Sequence, residues 1–90
     1  MRDIDFKKDS GILKALGHPV RLRIVTGLIV HDECDVNTIV AELKIPQSTI
    51  SQHLSILKNS GIITPRKEGV RTCYSVVEKR VREIIRILGE

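Results

Sequence analysis

The feature that most constrains this 90-residue chain is one change in the spacing of its apolar residues. Up to Gly61 they recur every three or four positions, the period of helices with one buried face. From Ile62 to Val76 the chain becomes β-branched and aromatic, and from Val77 the helical spacing returns. The reading is four helices, a β-hairpin and a last helix: a mainly α chain with one small hairpin, in the order α-α-α-α-β-β-α.

Local signals set the boundaries. Residues 10–16, with Ile12, Leu13 and Leu16, form a short first helix that stops at Gly17. His18-Pro19 opens a second, which runs to about Val30 through Val20, Ile24, Val25, Leu28 and Ile29. Asp35 to Leu43 carries Val36, Ile39, Val40 and Leu43 on one stripe, with Asp35 or Asn37 as its cap. Lys44-Ile45-Pro46 turns the chain into a fourth helix from Gln47 to Ser60, whose narrow stripe is Ile50, Leu54 and Leu57. Gly61 ends it as a left-handed residue, and Ile62 is placed to pack back on Leu57. Ile62-Ile63-Thr64 and Thr72-Cys73-Tyr74-Ser75-Val76 then pair around a charged tip at Arg66-Lys67-Glu68-Gly69. The last helix, Val77 to Leu88, carries Val77, Val81, Ile84, Ile85 and Leu88.

A short helix, a tight turn, a second helix and a basic hairpin in succession make a winged helix-turn-helix. The helix-turn-helix spans about 36–60 and the wing about 62–76, within one domain of residues 1–90. So short a chain buries only about 60–65% of its unfolded surface, so it needs support. Two cysteines make no disulfide framework and a closed zinc site takes roughly four ligands, which leaves a homodimer. The two end helices carry more apolar surface than one small core needs. Ile12, Leu13, Leu16, Val81, Ile84, Ile85 and Leu88 are therefore the expected dimer interface.

The charge is unevenly placed. Residues 1–57 carry seven basic and seven acidic side chains; residues 58–90 carry eight and four, so the whole excess of +4 lies in the last third. A local basic surface suits a polyanion, although a solvated basic face would read the same way. The fourth helix is more telling. Opposite its apolar stripe lie Gln47, Ser48, Thr49, Ser51, Gln52, Ser55, Lys58 and Asn59, with no carboxylate in fourteen residues. Ordinary surface helices are rich in Glu and Lys. Short hydroxyl and amide side chains instead fit a major-groove floor, where Gln pairs bidentately with adenine. The expected DNA contacts are Gln47, Ser48, Thr49, Ser51, Gln52, His53 and Lys58 on this helix, with Arg66, Lys67 and Arg71 of the wing on phosphates.

The residues therefore point to a protein that binds palindromic double-stranded DNA as a dimer, with no cofactor. A winged-helix module for protein interaction within a transcription or replication complex is the alternative. An enzyme is not expected, since no nucleophile-base-orienter set can be read. Met1 to Lys8 alternates charged and apolar residues and no run approaches the ~20 apolar residues of a membrane span, so the expectation is a cytoplasmic protein with no membrane partner.

Over about residues 10–88 the chain resembles the ArsR/SmtB family of repressors. The resemblance rests on Leu16-Gly17-His18-Pro19-Val20-Arg21-Leu22-Arg23-Ile24, on Gln47 to Leu57, on Gly61-Ile62-Ile63, and on the wing Arg66-Lys67-Glu68-Gly69 followed by Tyr74. It implies a homodimer built by the first and last helices, released from DNA by an inducer. The family's usual metal sites do not carry over. Where many members have a Cys-x-Cys pair, this chain has Glu33-Cys34-Asp35-Val36-Asn37, and residues 77–90 contain no His or Asp. The usual glycine of the helix-turn-helix turn is Lys44, and the residue that often caps the recognition helix is Pro46.

Three histidines and two cysteines remain. His18 opens a helix and is read as a cap or packing residue; His53 is read as a DNA or packing contact. His31-Asp32-Glu33-Cys34 is either a solvated loop or a set of metal donors, and no metal is expected. In winged helices the connection before the third helix often pairs with the second wing strand, which would bring Cys34 near Cys73. The pair is thus two inert thiols, a structural disulfide or a thiol switch.

Overall fold

In the computed structural model, which describes residues 3–31, 34 and 36–89, the chain runs through five helices and one hairpin. The first helix, α1 (Phe6–Leu16), begins four residues earlier than its apolar stripe suggests. Asp5 caps it by accepting from the Lys8 amide at 3.1 Å, and Asp9 accepts from the Asp5 amide at 3.2 Å. A polar first turn is thus satisfied without any buried side chain to advertise it. The helix stops at Gly17.

His18 then caps α2 (Pro19–Val30), its Nδ1 accepting from the Val20 amide at 3.1 Å. Ile24, Val25 and Leu28 point into the core. The next helix, α3 (Val36–Leu43), takes in Asn37, which is therefore not its cap; Asp35 lies outside the described residues. Lys44 turns the chain with φ 54°, the left-handed conformation for which glycine is the usual choice. The fourth helix is α4 (Gln47–Asn59), with Pro46 as a cap that offers no side-chain bond.

The end of α4 follows its sequence signal closely. Gly61 sits at φ 78°, its amide donates to the Lys58 carbonyl at 3.0 Å, and the Ile62 amide donates to the Leu57 carbonyl at 3.1 Å. These are the two bonds of a Schellman motif. Ile62 is fully buried and leads into the wing: β1 (Ile63–Glu68) pairs antiparallel with β2 (Arg71–Val76), Ile63 opposite Val76 and Glu68 opposite Arg71. The tip is therefore Gly69-Val70 rather than the expected Arg66–Gly69. Gly69 has φ 64° and Val70 does not share the positive sign, as a two-residue II′ turn requires. Arg66 and Lys67 consequently stand on the strand below the tip.

The last helix, α5 (Lys79–Leu88), starts two residues later than expected. The Val77 amide is engaged by the Ile62 carbonyl at 2.9 Å, and Glu78 caps the helix through the Arg80 amide at 3.2 Å. Arg80 also reaches Asp9 of α1 at 3.0 Å, and this guanidinium bond holds the Asp9 carboxyl below its ordinary range. The Arg80 side chain lowers Glu78 in the same way.

Ile24, Val25, Leu28, Ile50, Leu57, Ile62, Ile63 and Val81 make the centre of the core. This corrects the expected dimer stripe. Ile12, Leu16 and Val81 face inward and are buried within the single chain, because α1 packs on α2 and α4 and α5 packs on β2. Leu13 and Leu88 remain 60% and 64% exposed, joined by Phe6 at 78%, while Ile84 and Ile85 are half-buried at the core's edge.

Candidate nucleic-acid interface

The inward side of α4 is fixed by Ile50 and Leu57, both fully buried. That anchoring turns Gln47, Ser48, Ser51, Gln52, Ser55, Lys58 and Asn59 outward, with Thr49 half-buried at the edge. The result is an exposed helical surface of amides, hydroxyls and one lysine. Such groups donate and accept without repelling phosphate.

His53 departs from the expected set. It is half-buried, its ring lies 4.6 Å from that of His18, and its Nδ1 is 3.2 Å from Nη1 of Arg21. Arginine has no acceptor, so Nδ1 must accept and the ring proton sits on Nε2. Burial lowers the His53 pKa first, with the charges of His18 and Arg21 adding to it. Arg21 in turn donates to the Ala15 carbonyl at 2.7 Å. One guanidinium thus ties the end of α1 and the start of α2 to the middle of α4. His53 positions the helix rather than facing outward. The role of Arg21 was not readable in the sequence, where it stands 32 positions from its partner.

Strand pairing divides the wing residues between two faces. Arg66 lies opposite Cys73 and Glu68 opposite Arg71, so these four share a face with Ser75. There Arg66 donates to Glu68 at 3.1 Å and to the Ser75 hydroxyl, and Arg71 donates to the Cys34 carbonyl at 3.1 Å. Two of the three expected phosphate contacts are therefore engaged within the chain. Lys67 lies on the other face with Pro65, Thr72 and Tyr74. Pro65 and Tyr74 help line a hollow of about 250 Å³ with Ser51, Leu54, Ser55 and Lys58 of α4. Val70, fully exposed at the tip, was not singled out from the sequence, where one valine carries no signal.

Cys34 and Cys73 are bonded as a disulfide, their Cα atoms 4.1 Å apart. The bond and the Arg71–Cys34 hydrogen bond together fasten the wing to the turn before α3. No described helix is long and apolar enough to cross a membrane.

An outward-turned polar helix after a tight turn, beside a two-stranded wing, defines a winged helix-turn-helix protein. Residues 18–64 match the model of the bacterial regulatory protein, arsR family, and the chain belongs to that family. It is 46% identical over 85 residues, 94% of this chain and 96% of the other, to an HTH-type transcriptional regulator of Methanocaldococcus jannaschii. To the transcriptional repressor PagR of Bacillus anthracis it is 35% identical over 86 residues, covering 96% and 86% of the two chains. The crystal structure of PagR superposes with a TM-score of 0.80 over 92% of this chain and 94% of that one. A homodimeric winged helix-turn-helix DNA-binding domain from Mycobacterium bovis, 25% identical, superposes with a TM-score of 0.77 over 97% and 84%.

Proposed function

We propose that this chain represses transcription in the cytoplasm by binding operator DNA as a homodimer. The exposed face of α4 enters the major groove, and the wing lies along the adjacent backbone. The observation that carries the reading is the carboxylate-free surface of Gln47, Ser48, Thr49, Ser51 and Gln52, flanked by Lys58 and Lys67. Family membership and the likeness to PagR support it. The chemistry is recognition and not catalysis.

The dimer joins α1 and α5 across a two-fold axis. Leu13, Ile84, Ile85, Leu88 and Phe6 supply its apolar contact, and the two recognition helices are spaced for successive turns of DNA, about 34 Å apart. The disulfide makes the assembly thiol-responsive. It joins the wing to the turn ahead of the helix-turn-helix, so breaking it removes the covalent tie and leaves the Arg71 bond to the Cys34 carbonyl. A coupling of about 1–3 kcal/mol would change operator affinity roughly 5–150-fold.

The deciding experiment measures binding to DNA from upstream of its own gene and to random DNA. Gln52→Ala should cost about 1–3 kcal/mol on the former and less on the latter. Equal losses on both remove the base-reading role. Weak binding that ignores salt would return the chain to the protein-interaction reading. In sedimentation, the native chain should be dimeric at micromolar concentration, and Leu88→Asp should give a folded monomer. A native chain that sediments as a monomer at that concentration contradicts the dimer.

A further inference from the structure

Two soft donors and one hard donor meet where the wing touches the body. The sulfur atoms of Cys34 and Cys73 and a carboxylate oxygen of Glu68 all lie within 4.8 Å of one another. They come from three stretches: the turn before α3, the end of β1 and the middle of β2. Strand register places Glu68 and Cys73 on one face, and the Arg71 bond to the Cys34 carbonyl holds the turn over that face.

We infer that reduction of the Cys34–Cys73 bond opens a binding site for a thiophilic divalent cation, held by both sulfurs and Glu68. A dithiol supplies two electrons and two protons to the disulfide and is itself oxidised to a disulfide. The ion then displaces one proton from each thiol. Two thiolates bonded to one tetrahedral ion at about 2.3 Å stand roughly 3.8 Å apart. With Cα atoms 4.1 Å apart, small side-chain rotations reach that separation. Cys73 is fully buried and Cys34 half-buried, so the sulfurs are shielded, while exposed Glu68 closes the solvent side. Two thiolates and a carboxylate bring three negative charges to a doubly charged ion. The guanidiniums of Arg66 and Arg71, on the same face, offset the excess. Glu68 exchanges its bond to Arg66 for the ion, while Arg66 keeps Ser75. Sulfur donors select zinc or cadmium over magnesium and calcium, which take oxygen ligands.

This donor set shares only Cys34 with the sequence-adjacent run His31-Asp32-Glu33-Cys34. The sequence pattern already brought Cys34 near Cys73; what it did not show is Glu68, whose place beside them comes from the strand register.

The test uses the full chain, reduced with a dithiol that is then removed without air, and titrated with cadmium and zinc. Thiol counting should find two thiols. Cadmium should give a saturable thiolate-to-metal charge-transfer band at one ion per chain, with two protons released, and zinc should compete for it. Cys34→Ser and Cys73→Ser should abolish the band. Glu68→Gln, checked for an unchanged metal-free melting curve, should weaken binding at least roughly tenfold. The inference fails if the bond resists reduction, if no band appears, if the oxidised chain binds as well, or if Glu68→Gln binds like the native chain. No DNA enters the measurement, so its failure leaves the operator reading untouched.

Discussion

The recognition helix and the wing are held in opposite ways. Helix α4 is fastened from beneath, by Ile50 and Leu57 in the core and by the Arg21–His53 bond on its flank. Its outer face is left as exposed amides and hydroxyls. The wing enters the core only at its base, through Ile63 and Val76. It is tied to the body by Arg71 on the Cys34 carbonyl and Cys73 on Cys34, while Arg66 is spent within the hairpin on Glu68 and Ser75. An element can lend all its outer side chains to a partner only if its inner face alone secures it. A two-stranded hairpin buries too little to meet that condition, so its own polar residues become fasteners.

The largest test of this contrast is to cut the wing's covalent tie. The disulfide closes 39 positions of chain, and its removal by Cys73→Ser should cost about 2–4 kcal/mol of folding stability, read from urea midpoints. If operator affinity is the same for oxidised protein, reduced protein and Cys34→Ser, the bond only stabilises and the thiol response is wrong. A smaller effect separates two wing cations. Lys67→Ala should flatten the salt dependence of DNA binding by about one unit, whereas Arg71→Ala should leave that slope nearly unchanged and lower the melting temperature. Equal slopes for the two variants would show that the Arg71 tie yields to DNA. The smallest effect concerns the flank of α4. The His53 pKa lies below the ordinary 6.5, so the unfolded chain takes up the proton first as pH falls. Stability should be full above about 6.5 and decline between there and the lower folded value. His53→Gln should reduce that decline, and an unchanged pH profile would remove His53 from the anchoring of α4.

Apart from the Cys34–Cys73 pair, which the winged-helix pattern brought together, the sequence announced what depends on neighbours along the chain and concealed what depends on distant ones. Gly61 followed by Ile62 marked the end of α4 because the Schellman bonds span only six residues. The hairpin was legible because its residue types change abruptly at Ile62, but its tip was misplaced by the charges of Arg66-Lys67-Glu68, which do not reveal pairing. The start of α1 was missed because Asp5 and Asp9 cap a turn that buries nothing. Lys44 itself gave no sign of its left-handed backbone, and only the glycine usual at that turn of the family hinted at it. On α4, spacing alone separated exposed Gln52 from buried Ile50. It could not tell that His53, one position on, would find Arg21.

The bond from the Val77 amide to the Ile62 carbonyl gives the wing an unusual standing in the chain. The backbone leaves the body at Ile62 and comes home at Val77 to the same spot, so everything between is a closed excursion. Lengthening, shortening or rewriting the tip at Gly69-Val70 need not move α4 or α5 at all. The tip can therefore be exchanged like the bit of a drill while the chuck stays fixed. Within the excursion, Ile63 and Val76 keep their places in the core, and Cys73 adds the one covalent bond to a residue outside it.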